Sequence, residues 1–378
     1  MLGSIFIGLS GMNAFSKGLR QISNNITNLN SSGYKATTTT FVNLFGAGSG
    51  GQGVALGEGR INFAQGELRQ TDQSLDLAID GGGFLVLLKD AQHVYARTGS
   101  FEVNDNGDIV LAGTDYKLTA LDASGAPQAL NIASVRTSRP QATTSIKFAD
   151  NLSSSATTFS LPNLKIFSAG GTTSTWMVKF ERTDASPPGD WTVIVTDNNN
   201  AEIGRQTLNF IGSIANPTTS RLTFGSGENA VEFDFSNATS FSSGEISTLR
   251  VSESNGYGAG EITKMGVNAD GVFEISYSNE QKTELGAITI ANFRDPQRLD
   301  PMSNGLFAYE GDTGRQYLSS ASDSVGKVVS GRLEASNVEL SSEFGDLILV
   351  QRGYQASSQV VSVSNDMIQQ LFGIRGQG

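Results

Sequence analysis

The chain has 378 residues, with 44 glycines, one histidine, no cysteine and a net charge of −11. That acidity argues against nucleic acid or an anionic membrane as partner, and the missing thiols exclude disulfides and thiolate metal sites. The length leaves room for two or three domains, and Gly together with many Ser, Thr and Asn describes a β-rich middle full of turns.

The first thirty-odd residues carry a seven-residue repeat. Ile5, Met12, Leu19 and Ile26 recur one heptad apart, and Gly8, Phe15, Ile22 and Leu29 fill the position three later. This is the a/d pattern of a helix that packs along a seam. Such a helix should fray alone. Its roughly eight apolar side chains contribute about 1.5–3 kcal/mol each, whereas ordering the backbone costs about 1–2 kcal/mol per residue. Gly3, Gly8, Gly11 and Gly18 lower its propensity further. It therefore needs partners on more than one side, either the C-terminal helix or neighbouring copies, and residues 1–30 and 345–378 are expected to be disordered in a free monomer. The opening residues show neither a basic n-region nor a small-residue cleavage site, which is unlike an ordinary secretory signal. No run approaches the length of a membrane span.

Residues 28–33 read as a helix stop, with Gly33 suited to a left-handed position. Thr37 to Thr40 favours extended chain. The run 46–53 is a Gly-rich loop without the Gly-Lys-Ser/Thr ending of a phosphate loop. Residues 75–80 alternate, Gly81-Gly82-Gly83 breaks the pattern, and residues 84–88 form a buried strand. Residues 100–111 are a hairpin turning at Asn104-Asp105-Asn106-Gly107, and the loop lacks the twelfth-position Glu of a calcium site. A related hairpin at residues 266–275 suggests one β domain interrupted by an insertion. The inserted stretch, residues 144–262, holds both tryptophans, the Pro187-Pro188-Gly189-Asp190 turn, and 12 acidic against 7 basic residues. It reads as a separate β domain with a solvated surface.

At the far end Leu333, Leu340, Leu347, Tyr354, Val361 and Ile368 again recur every seven. A helix is expected from near Ser341, with Glu343 in its first turn where the macrodipole favours an acid. The positions four later are Phe344, Gln351, Ser358, Asn365 and Phe372. Three polar residues there suit a helix facing several neighbours or a water-filled channel.

The residues assign no catalytic, cofactor-binding or metal site. His93 is the one candidate base and reads as an exposed turn residue. Ser324-Val325-Gly326-Lys327-Val328 mimics a phosphate loop but has Val where the hydroxyl must stand. Asn25-Ile26-Thr27 and Asn151-Leu152-Ser153 match the glycosylation sequon, a pattern expected by chance.

Several blocks resemble the bacterial flagellar rod and hook axial proteins. Ser23-Asn24-Asn25-Ile26-Thr27-Asn28-Leu29-Asn30-Ser31-Ser32-Gly33-Tyr34-Lys35 is similar to their N-terminal signature. Phe63-Ala64-Gln65-Gly66-Glu67-Leu68, residues 75–81 and residues 95–101 resemble the blocks that follow. Residues 330–341 and 351–356 resemble the C-terminal signature. The insertion, with residues 286–297, points to the hook members rather than the shorter rod members, although a distal rod-type protein stays as the alternative. Gly353 and Ser357 depart from the pattern, where larger or more polar residues are common.

The resemblance implies an α+β chain of mostly-β middle domains, one inserted in the other, with N- and C-terminal heptad-repeat helices paired in a helical tube. Residues 1–70 and 330–378 would form the inner tube and its bridging segment, residues 71–143 and 263–329 a discontinuous β domain, and residues 144–262 the outermost domain. The expected subunit interface is Ile5, Met12, Phe15, Leu19, Ile22, Ile26, Leu29, Leu340, Phe344, Leu347, Tyr354, Val361 and Ile368. Implied partners are further copies of the chain, rod and hook–filament junction proteins, a hook cap and the flagellar export apparatus, without nucleic acid, membrane insertion or cofactors. The function implied is that of a flexible, curved hook exported without a cleavable signal. Two other classes stay open on the residues alone, a secreted β-rich enzyme and a monomeric binding module.

Overall fold

A computed structural model describes residues 2–45, 51–182, 189–311 and 313–375. Most of the Gly-rich loop at 46–53 and the Pro187-Pro188 pair lie outside the described residues. The chain is mostly β with a long helix near each end, α1 (Leu2–Thr27) and α2 (Leu340–Arg375). It divides into two compact units. The first comprises residues 1–133, 264–275 and 283–378, the second residues 134–263 and 276–282.

In the first unit α1 and α2 run antiparallel, with Gly8 opposite Val361, Gly18 opposite Val350 and Asn25 opposite Glu343. The buried positions of α1 are Gly8, Gly11, Ala14, Gly18, Ile22 and Asn25. The contact face thus follows the Gly8 series and the position three beyond it. Of the other heptad series, Ile5, Met12 and Ile26 sit half-buried at the margin and Leu19 is 36% exposed. The reason lies in side-chain size, since small residues let two helix axes approach closely and push bulkier ones to the flank. On α2 the buried and half-buried positions beyond the first turn are Leu347, Val350, Gly353, Ser357, Val361, Ser364 and Ile368. Phe344, Gln351, Ser358 and Asn365 are exposed, so the polar positions read into the seam lie outside it.

Gly353 and Ser357 stand where the two helices approach closely, Gly353 against Phe15 and Ser357 against Gly11. A methyl group at Gly353 would overlap the Phe15 ring, and one at Gly8 would stand 2.6 Å from Val361 Cγ2. Gly353→Ala is therefore expected to destabilise the helix pair by about 1–3 kcal/mol through overpacking. Gly345→Ala, with nothing within 4 Å of the added carbon, should stabilise α2 by about 0.5–1 kcal/mol. Thermal unfolding followed by circular dichroism separates them, and equal effects would show that the close approach is absent.

The helix stop works differently from the sequence reading. α1 ends at Thr27, and the Asn28 side chain donates to the Asn24 carbonyl at 2.9 Å. Gly33 does adopt a positive φ of 72°, but six residues past the helix, where its N–H donates to the Glu334 carbonyl at 2.7 Å.

The β body of the first unit is one sheet assembled from both sides of the insertion. Strand Phe84–Lys89 pairs with Gln92–Ala96, Lys117–Leu121 and Thr289–Phe293, and strand Asp76–Asp80 pairs with Thr98–Val103 and Lys327–Ser330. Phe84, Tyr95, Phe293 and Phe307 pack in its core. The turn at residues 104–107 closes a hairpin between Thr98–Val103 and Ile109–Leu111. His93 lies on a strand and is half-buried against Tyr317, with ring centroids 5.5 Å apart, rather than on an exposed turn. Burial and the nearby Arg315 charge hold its pKa below the usual histidine value.

The second unit is a nine-stranded sheet folded around its own core. Strands Thr173–Glu181, Asp190–Thr196 and Val231–Thr239 contain the three runs read as strands in the sequence, and their inward residues include Trp191, Phe180, Phe233 and Phe235. This unit starts earlier than residue 144 and recovers residues 276–282. Tyr277 Oη donates to the Val135 carbonyl at 2.6 Å and Asn279 Nδ2 to Ser138 Oγ at 3.0 Å, which draws both segments in.

Candidate assembly site

Two features of the first unit bear on function, a buried polar joint and the apolar faces of the terminal helices. The joint centres on Glu334, on strand Arg332–Glu334, which pairs with Leu68–Gln70. Glu334 Oε1 accepts from Lys35 Nζ at 2.5 Å and from the Gly66 N–H at 2.8 Å, and Oε2 accepts from Arg97 Nε at 3.1 Å. The Glu334 and Lys35 side chains have no exposed surface and that of Arg97 almost none. Lys35 Nζ also donates to the Ala64 carbonyl at 2.7 Å, and Arg97 Nη2 to the Gly81 carbonyl at 2.7 Å. A buried ion pair survives only when its remaining donors are satisfied in this way.

Asn337 and Asn25 extend the joint on either side. The Asn337 amide donates to the carbonyls of Asn62 and Ala64, and its oxygen accepts the Ala36 N–H at 2.8 Å. Asn25 Nδ2 donates to Glu343 Oε1 at 2.8 Å and to the Thr37 carbonyl at 3.0 Å, while Tyr34 Oη and the Thr37 N–H donate to its oxygen. Burial, with a smaller push from Asp346, raises the Glu343 pKa above its ordinary value of 4.5, and the Asn25 hydrogen bond opposes this. Glu343 therefore keeps its proton to higher pH in the folded chain than in the unfolded one. Its contribution to stability should decline as pH rises from 4.5. Glu343→Gln keeps an acceptor for Asn25, so it is expected to flatten this decline and stabilise the helix pair at pH 7. Melting curves between pH 4 and 8 check it, and an unchanged slope would contradict it.

The joint gathers segments from the blocks at 23–35, 63–68, 75–81, 95–101 and 330–341. Reading the sequence for heptads missed Asn25, Lys35, Arg97, Glu334, Asn337 and Glu343 as structural partners. One signal was available, since Lys35 and Arg97 are each the sole charge of the motif blocks 23–35 and 95–101. Asn25 and Asn151, the two sequon asparagines, are both buried with bonded amides and so present no acceptor.

Of the expected interface residues, Ile22 is buried in the α1–α2 contact, and Ile5, Met12, Phe15, Ile26, Leu29, Leu347, Val361 and Ile368 are half-buried. Leu19, Leu340, Phe344 and Tyr354 are exposed. More apolar side chains lie bare on the same helices, among them Phe6 at 70%, Leu349 at 67%, Ile7, Leu9, Ile348 and Met367. Exposed apolar surface on this scale marks an interaction face.

A β body clasped by its own termini, with a buried ion pair at the joint and bare apolar helix faces, fits a structural protein of the assembling kind. The family described as "Flagellar basal body rod FlgEFG protein C-terminal" matches residues 329–374. The flagellar hook protein FlgE of Brucella melitensis is 30% identical over 99% of both chains. That of Salmonella typhimurium is 29% identical over 97% of this chain and 98% of its own. The crystal structure of Helicobacter pylori flagellar hook protein FlgE2 shares the fold with a TM-score of 0.51 at 11% identity, covering 69% of this chain and 99% of that one. The chain belongs to the flagellar hook protein family.

Proposed function

We infer that this protein is the structural subunit of the bacterial flagellar hook, polymerising into a curved, flexible tube that joins motor to filament as a universal joint. The observation that carries this is the bare apolar surface of α1 and α2 in a chain whose relatives are hook proteins. Burying a fully exposed Leu, Ile or Phe contributes about 1.5–3 kcal/mol, so a handful per copy supplies a strong drive to associate. Copies stacked head to tail along the helices form an open helical array, since contacts between unlike surfaces propagate as a helix when the rotation between copies does not close a ring. The terminal seams, Ile5 to Leu29 and Leu340 to Ile368, are the proposed subunit interface, with residues 144–262 outside the seams. The protein works at the flagellum, and its neighbours there are rod and junction proteins, a cap and the export apparatus. Electron microscopy of the purified chain tests the reading. Tubes of uniform diameter are expected, and a monodisperse monomer at high concentration would contradict it.

A further inference from the structure

Strand order in the first unit brings two tyrosines together from either side of the insertion. Strand Gln92–Ala96 pairs with Phe84–Lys89, which pairs with Thr289–Phe293, which pairs in turn with Arg315–Ser319. The register sets Tyr95 across from Val86 and Tyr317 across from Ala291, and all four fall on one face of the sheet. Those two small side chains leave room over the middle strands. The rings lean in until Tyr95 Oη and Tyr317 Oη stand 3.4 Å apart. Arg315 holds both. Its Nη1 donates to Tyr95 Oη at 2.8 Å, and its guanidinium lies 4.8 Å from the centre of the Tyr317 ring. Tyr95 has no exposed surface, whereas Tyr317 is half-buried beside His93.

A separation of 3.4 Å is long for an O–H···O bond, so the pair is better described as two phenol tips in contact. In that arrangement the ring carbons ortho to each hydroxyl lie a small rotation away from one another. The chain has eight tyrosines, and the hydroxyls of Tyr34, Tyr277 and Tyr309 are spent elsewhere, on Asn25 and on the carbonyls of Val135 and Thr313. We propose that Tyr95 and Tyr317 are an oxidative cross-linking site, forming a dityrosine that staples the segment before the insertion to the segment after it. Each phenol gives up one electron and its proton. The two radicals couple through a C–C bond between ortho carbons, and the hydrogens on those carbons move to the oxygens to restore both rings. The net change is the loss of two hydrogen atoms. They are taken by a one-electron oxidant derived from peroxide, each peroxide ending as two waters. With no cysteine in the chain, a disulfide cannot do this. The linked residues are 222 positions apart, and closing so long a loop in the unfolded chain removes entropy that otherwise favours unfolding. A single chain suffices, so the site does not depend on assembly.

The test uses dilute full-length chain, illuminated with ruthenium tris-bipyridyl and persulfate as the one-electron oxidant. Dityrosine fluorescence is expected in the monomer band of a denaturing gel, with Tyr95 and Tyr317 peptides recovered as one species two hydrogens lighter than the pair. Tyr317→Phe keeps the ring and removes the hydroxyl, so most of that fluorescence should disappear. Tyr309→Phe, whose ring packs against the same core, should keep it. After illumination the first unit should melt several degrees higher in wild type than in Tyr317→Phe, relative to each before treatment. Undiminished fluorescence in Tyr317→Phe would overturn the proposal. So would wild-type chain that yields no dityrosine, linked peptides that omit Tyr95 or Tyr317, or dityrosine confined to dimers.

Discussion

Glu334→Gln should destabilise the first unit by about 3–5 kcal/mol, because it leaves the Lys35 and Arg97 cations buried without their counter-charge. For a unit of this size that corresponds to a fall in Tm of roughly 10 °C. The loss should concentrate where the joint holds chain segments together. Residues 33–37 and 62–66 reach it through Lys35, Ala64 and Gly66, so proteolysis there should accelerate while the second unit, which has its own core, melts as before. A Tm within a degree of wild type would mean that the ion pairs are replaced by water without cost.

The sequence made the elements legible better than it made their partners. Heptads at both ends mark two long helices because apolar spacing is a local property. The hairpin at residues 100–111 could be read because Asn104 to Gly107 carries its own turn chemistry. What could not be read is which of two adjacent helix stripes turns inward. Three-residue and four-residue spacings are equally available to an α-helix, and the choice between Val350 and Gln351 is settled by Phe15 fitting over Gly353, a contact between residues 338 positions apart. The joint was illegible for the same reason. Lys35, Arg97 and Glu334 come from three distant segments, and no local pattern says that their charges are for one another. The Tyr95–Tyr317 contact likewise depends on strand register, which sets Tyr95 across from Val86 and Tyr317 across from Ala291.

Leu19→Asp is expected to abolish polymerisation while sparing the fold of the single chain. Leu19 lies at the flank of α1, 36% exposed and away from the α2 contact, so a surface charge there should change monomer stability by about 0.5 kcal/mol or less. Buried in a contact between copies, the same unpaired charge costs several kcal/mol. Every 1.4 kcal/mol is about tenfold in affinity, so association should weaken by a factor on the order of a hundred or more per contact. Phe344→Asp, on the exposed side of α2, should act in the same way. Leu347→Asp differs in kind, because Leu347 is half-buried on the face of α2 turned to α1, and it should damage both the helix pair and the assembly. Sedimentation of the three variants separates the effects. Normal tubes from Leu19→Asp would place the subunit contacts elsewhere.

Hydrogen exchange on the same protein, first as dilute monomer and then as assembled tube, tests most directly whether the terminal helices are what copies bury. Amides of Leu2–Thr27 and Leu340–Arg375 should exchange quickly in the monomer, where one face of each helix is bare, and slow by orders of magnitude in the tube. Those of strands Ser145–Asn151, Thr173–Glu181, Asp190–Thr196 and Val231–Thr239 should be protected in both, since their core is complete within one chain. Equal protection of α1 and α2 in monomer and tube would contradict assembly through the terminal seams.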